Sequence, residues 1–210
     1  MKRKWIWIAC AAFLLTGCAK EAVTVAGIQS EDGGGTQYIE MQEFELKEQE
    51  EERAGEKVRY CAVLIPAGYQ ESPEIQGMYV HERNPLDSSN IYYTVSEGSG
   101  EGMVSKTLTE EIYKETMNEA YKKAGMEVAL EIESFEKIDM EGIPGYKIRS
   151  FYAVGDGEEI EQLAYLILAE DTYTITYSQM SDDDLMADFE ISDGEIRLVR
   201  EEKVNLAKDE

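Results

Sequence analysis

Histidine is nearly missing from this chain of 210 residues, which holds His81 and no other. Paired-histidine metal sites such as His-Glu-x-x-His are thereby excluded. A Ser-His-acid triad would have to use His81, and no Gly-x-Ser-x-Gly turn is present to offer the serine. At the end of a short apolar stretch, His81 reads as an exposed strand-end side chain. Cysteine occurs three times, as Cys10, Cys18 and Cys61, and tryptophan only as Trp5 and Trp7. Positive charge is also short, with 20 Lys and Arg against 44 Asp and Glu, a net charge of −24. Affinity for phosphate backbones comes from Lys and Arg, so nucleic acid is excluded as a partner. A surface held to anionic lipid by charge alone is excluded as well. A membrane-spanning helix needs about 20 apolar residues, and the run from Trp5 to Leu15 falls well short.

What is present suits one globular domain with appendages. Apolar residues make up 43% of the chain and charged residues 30%, enough to bury a core. The chain opens on Lys2, Arg3 and Lys4, followed by the apolar run, the pattern of an export signal. The run ends in Leu15-Thr16-Gly17-Cys18. This resembles the bacterial lipobox, an aliphatic residue, two small residues and a cysteine. The resemblance implies that residues 1–17 are a signal peptide, that Cys18 carries a diacylglyceryl group on its sulfur, and that Cys18 becomes the new N-terminus. The expected address is the extracytoplasmic face of the bacterial cell membrane, held by lipid.

Cleavage there would leave 17 Lys and Arg against 44 Asp and Glu, a net charge of −27. With Cys10 removed and Cys18 blocked, Cys61 is the one thiol left. It can form no intramolecular disulfide, Cys-x-x-Cys pair or Cys-rich zinc site. It lies in Tyr60-Cys61-Ala62-Val63-Leu64-Ile65 and reads as a small buried hydrophobe.

Residues 18–56 read as a lipidated N-terminus and a flexible acidic tether. Gly33-Gly34-Gly35 breaks the chain, and Glu48, Glu50, Glu51 and Glu52 repel one another. Such a tether would reach about 35 Å. Within it, residues 38–46 carry enough apolar side chains to pack as an extra helix or strand. The domain is expected over 57–199, with a charged tail over 200–210.

Within the domain, 58–66 is apolar on both faces, as in a covered strand. Residues 78–81 and 91–95 follow as short strands. Thr107 and Glu110 have capping-box spacing, and Ile112, Tyr113, Thr116, Met117, Ala120, Tyr121 and Ala124 predict one broad apolar helix face. Lys122, Lys123 and Gly125 mark the helix end. Strands are predicted from Met126 to Ile132, with a parity slip at Phe135 that signals a bulge or turn, then over 146–154, 160–169 and 173–177. Ser181 and Asp184 repeat a capping arrangement before Leu185 and Phe189, and 196–199 closes the domain. The fold class is α+β, an antiparallel β-sheet with helices packed on it.

This layout is similar to the PsbP-like family, named for the extrinsic oxygen-evolving protein of photosystem II. The residues that carry the likeness are Leu64-Ile65-Pro66-Ala67-Gly68-Tyr69, the helix at 107–124, Gly142-Ile143-Pro144-Gly145-Tyr146 and Tyr173-Thr174-Ile175-Thr176-Tyr177. The resemblance covers about 57–199. It implies an α/β/α sandwich and brings no catalytic residues.

Other candidate chemistry is thin. Gly98-x-Gly100-x-Gly102 sits where a phosphate cradle could lie, but no lysine follows in register and Glu101 would repel an anion. Asp182, Asp183, Asp184 and Asp188 form a candidate Ca²⁺ site, although acids in a first helical turn are equally expected from the helix dipole. No pair of carboxylates stands out for glycoside chemistry. The sheet tyrosines Tyr60, Tyr79, Tyr92, Tyr93, Tyr152, Tyr165, Tyr173 and Tyr177 mainly suit a core, with a minority suited to an interface. The expected role is a noncatalytic binding or assembly module of the envelope with a protein partner and no cofactor. The alternative is a lipoprotein that binds a small ligand or cation beside a transporter.

Overall fold

The computed structural model describes residues 8–9, 23–29, 36–47, 59–82, 89–96, 108–140, 142–154, 157–169, 171–180, 185–193 and 195–200. Twelve strands are described: β1 (Ile8–Ala9), β2 (Val23–Gln29), β3 (Thr36–Lys47), β4 (Arg59–Pro66), β5 (Tyr69–Glu71), β6 (Met78–His81), β7 (Asn90–Ser96), β8 (Glu131–Met140), β9 (Ile143–Val154), β10 (Glu158–Leu168), β11 (Thr172–Met180) and β12 (Arg197–Arg200). Helix α1 (Glu110–Lys123) lies between β7 and β8, and α2 (Met186–Phe189) follows β11, running into a 3-10 turn (Glu190–Ser192). One sheet has seven strands in the order β5-β6-β7-β11-β10-β9-β8, the other five in the order β1-β2-β3-β4-β12. All pairings are antiparallel.

The larger sheet is buried on both faces because its central strands are apolar in both phases. Along β10, Leu163, Tyr165 and Ile167 join one core, and Ala164, Leu166 and Leu168 join the other. The first core also takes Tyr173, Ile175 and Tyr177 from β11, Cys61, Val63 and Ile65 from β4, and Met186 and Phe189 from α2. The second takes Tyr146, Ile148 and Tyr152 from β9 and Tyr113 from α1, with Met117 and Tyr121 packed alongside. A side chain as enclosed as Ile148 or Ile175, both at 0% exposure, contributes about 1.5–3 kcal/mol through burial. The strands must approach closely at Gly145, where a Cβ would lie 2.5 Å from the Leu166 carbonyl oxygen.

Helix α1 is specified locally. Thr109 is its cap, with extended backbone, and its Oγ1 accepts from the Ile112 amide at 3.3 Å. The cap therefore lies two residues later than the expected Thr107, which is outside the described residues. Glu110 and Glu111 occupy the first turn and Lys122 and Lys123 the last. Gly125 has φ +80°, the Gly125 amide donates to the Lys122 carbonyl, and the Met126 amide donates to the Tyr121 carbonyl. These two bonds form a Schellman stop. The buried stripe is narrower than expected: Tyr113 is buried and Met117 and Tyr121 half-buried, while Ile112, Thr116, Ala120 and Ala124 are exposed. Only the i, i+4, i+8 row reaches the sheet.

Further differences follow from pairing that crosses long stretches of sequence. The strand expected from Met126 begins at Glu131, and the parity slip is a register shift between Ile132 and Ser134 within one continuous strand. The tether expected over 18–56 contains two paired strands. Strand β3 runs beside β4 from Met41↔Pro66 to Lys47↔Tyr60, and β2 runs beside β3 from Val23↔Gln42 to Gln29↔Thr36. Met41 is fully enclosed, and Gln42 Nε2 donates to the Tyr69 carbonyl at 2.7 Å. The folded domain therefore starts upstream of residue 57, and the glycines at 33–35 fall between two antiparallel strands. The rest of 18–56 and the tail 201–210 lie outside the described residues.

Candidate functional site

Several predicted site residues lie outside the described residues: Cys18, the glycines at 98, 100 and 102, and Asp182, Asp183 and Asp184. Asp188 is half-buried on α2. Among the described residues, no group of three or more His, Cys, Asp or Glu side chains is placed to hold a metal ion. His81 is half-buried rather than exposed, edge-on to Tyr69 with ring centroids 5.5 Å apart. It crowds Gly68, where φ is +95° and a Cβ would lie 2.9 Å from His81 Nε2. Cys61 is enclosed, and burial pushes its thiol up to about 12, so it is not a nucleophile at neutral pH.

The tyrosines divide as a core would have them. Tyr79, Tyr93, Tyr152, Tyr165, Tyr173 and Tyr177 are all at most 8% exposed, whereas Tyr92 is 37% exposed. Burial raises the hydroxyl pKa of Tyr79, Tyr93, Tyr121, Tyr152 and Tyr165 above the ordinary tyrosine value, and that of Tyr113 to about 12. Tyr165 also faces the negative charge of Asp193, which opposes its ionisation further.

The structure brings together a polar cluster that sequence patterning does not identify. Lys147 and Arg149 stand two apart on β9, with Tyr165 of β10 opposite Lys147. Lys147 Nζ reaches Asp193 Oδ2 at 2.5 Å, the Tyr165 hydroxyl donates to Asp193 Oδ1, and Arg149 Nη2 pairs with Glu190 Oε1. Glu190 opens the 3-10 turn and Asp193 ends it. Two positive charges of the sheet thus meet two negative charges of the turn. Beside the Arg149 pair lies an open cavity of about 200 Å³, lined by Glu133, Phe151, Glu159, Glu161 and Met186 among others. That is below the roughly 300 Å³ at which small-molecule sites begin.

A second polar element is Gln179, the buried-phase position of β11 after Tyr173, Ile175 and Tyr177. Its Oε1 accepts from the Leu185 amide at 2.8 Å and the Met186 amide at 2.7 Å, and its Nε2 donates to Glu161 Oε2 at 2.6 Å. Helix α2 has no side-chain cap of its own; the expected Ser181–Asp184 arrangement lies outside the described residues. The sequence signal for this role was a glutamine where the strand period calls for an apolar residue. Under α1, Tyr121 donates to Gln162 Oε1 at 3.0 Å and Gln162 Nε2 donates to Ser178 Oγ at 3.2 Å. Chemically, both networks fasten elements to the sheet, and every charge named in them has an opposite charge or a donor beside it.

No protein-family model matches the chain, and no curated protein matches it. Among solved structures, the chain is similar to cyanobacterial PsbP (CyanoP) from Synechocystis sp. PCC 6803, seen in its solution structure. The TM-score is 0.55 at 16% identity, over 76% of this chain and 92% of that one. A likeness at that identity shows the fold, and the fold is PsbP-like α+β, a mostly antiparallel sheet with few helices.

Proposed function

We propose that this protein is a lipid-anchored, noncatalytic binding or assembly module on the extracytoplasmic face of a bacterial cell membrane, serving a protein partner of the envelope. The observation that carries the reading is the order of Lys2-Arg3-Lys4, the apolar run and Leu15-Thr16-Gly17-Cys18 ahead of a PsbP-like domain. The internally paired Lys147, Arg149, Glu190 and Asp193, together with the suppressed ionisation of Tyr165 and Cys61, support a structural role for the polar groups.

The paired strands alter how such an anchor would hold the domain. Only residues 19–22 separate Cys18 from β2, and that link extends at most about 17 Å. The domain would sit against the membrane rather than on a 35 Å stalk. The test is Cys18→Ala in a bacterial host fed labelled palmitate. The expected result is an unprocessed precursor that retains residues 1–17 and takes no label, beside a processed, labelled wild type. A variant processed and labelled like the wild type would contradict the anchor.

A further inference from the structure

The edge of the smaller sheet has an unusual occupant. Ile8–Ala9 pairs with β2 in antiparallel register, Ile8 opposite Gly27 and Ala9 opposite Ala26. Those two residues belong to the stretch that cleavage before Cys18 would remove. Strand β2 reads Val-Thr-Val-Ala-Gly-Ile-Gln, without a charge or a proline, in a chain whose mature form carries −27. Natural edge strands are guarded by charges, prolines and bulges because their unpaired amides and carbonyls template another strand. The far edge of the larger sheet is guarded in this way: β8 carries Glu131, Glu133, Glu136, Lys137 and Asp139 and a register shift. Once β1 is gone, β2 has neither charge nor proline to guard it.

We propose that cleavage vacates this edge and that a second copy of the chain takes it, β2 against β2, antiparallel and centred on Ala26. The proposal rests on the anchor reading above. Three observations favour a second copy. The edge already accepts an antiparallel strand, with Ala26 and Gly27 as the paired residues. A self-pair centred there sets Val25 against Gly27 and Thr24 against Ile28, so no charge faces another. The short 19–22 link holds the edge of every anchored copy at the same height above the membrane, which suits a two-fold pair with its axis along the membrane normal. The two acidic bodies repel one another over the screening length of about 8 Å at physiological ionic strength. Pairing therefore strengthens with salt.

The test uses Ala26→Cys and Val23→Cys, each in the full chain expressed in cells and in purified residues 19–210, which keep every described strand except β1. In the proposed register the two copies of residue 26 face each other with Cα atoms about 5 Å apart, within disulfide reach. The two copies of residue 23 stand about 20 Å apart and are out of reach. Under mild oxidation, the expected result is a band at twice the monomer mass for Ala26→Cys in both preparations, increasing with salt, and monomer for Val23→Cys. Monomer for both variants, or equal crosslinking of both, would overturn the pairing. Adducts of another mass in cells, with purified Ala26→Cys staying monomeric, would overturn it in favour of a different protein on the edge. A dimer of the purified chain beside an unprocessed precursor in cells would keep the pairing and refute the anchor.

Discussion

Helix α1 carries its own start and stop, whereas α2 borrows its fastening from the sheet beneath it. The first has a threonine cap, acids in its first turn, lysines in its last and a glycine at φ +80°. Its fourteen residues meet the sheet through one apolar row. The second is a single turn of four residues with no cap of its own. Its first amides are satisfied by Gln179, and the turn that follows is held by Lys147, Arg149 and Tyr165. One turn of helix is far too short to persist in water, so tertiary contacts must supply what local propensity does not. Two faces of one sheet thus show two ways of attaching a helix: an apolar row for a segment that is already helical, and directed polar contacts added to the burial of Met186 and Phe189 for one that is not.

The comparison can be strained most severely at the shared sheet. Ile175 is fully enclosed on the α2 side. Ile175→Ala is expected to cost about 2–5 kcal/mol, read as a lower midpoint in urea with an unchanged slope. A cost below about 1 kcal/mol would mean that this face is not close-packed.

Raising the pH loads both faces through groups that the fold keeps neutral. Burial lifts Cys61, on the α2 side, and Tyr113, on the α1 side, each to about 12, from ordinary values of 9.0 and 10.0. The unfolded chain gives up these protons first, so their contribution is intact below about pH 9 and is lost as pH rises toward 12. Thermal melts across that window are expected to show falling stability. In Cys61→Val the decline is expected to begin about one unit later, where the tyrosines alone remain. Stability that is level from pH 9 to 12 would contradict the burial of these groups.

The smallest effect is expected at the cap of α1. Thr109→Ala removes one amide partner and should cost about 1 kcal/mol. That loss should appear as fraying of the first turn in amide exchange, with α2 unaffected.

The same contrast explains what the sequence made legible. Periodicity of two exposed the β9–β10–β11 meander, and the end of α1 could be read because Lys122, Lys123 and Gly125 are adjacent in the chain. The register shift near Phe135 was visible as a slip in parity. Strand β3 was legible only as the alternative in which residues 38–46 pack as an extra helix or strand, and β2 was hidden, because their acidic surroundings and the glycines at 33–35 look equally like a linker and because β3 is stabilised by β4, reached across a long connection. The Lys147–Tyr165–Asp193 cluster joins residues up to 46 positions apart, which no local pattern reports. Gln179 left a trace, as a polar residue in a buried phase, but its partners are defined only once α2 folds back over β11.

The most direct measurement is residue-resolved hydrogen exchange on Gln179→Leu. This change keeps the apolar bulk and removes the oxygen that accepts from Leu185 and Met186. If α2 depends on the sheet for its start, protection should collapse at residues 185–191 and stay at the wild-type level across residues 113–123 of α1. Retained protection at 185–191, or an equal loss in both helices, would contradict the account.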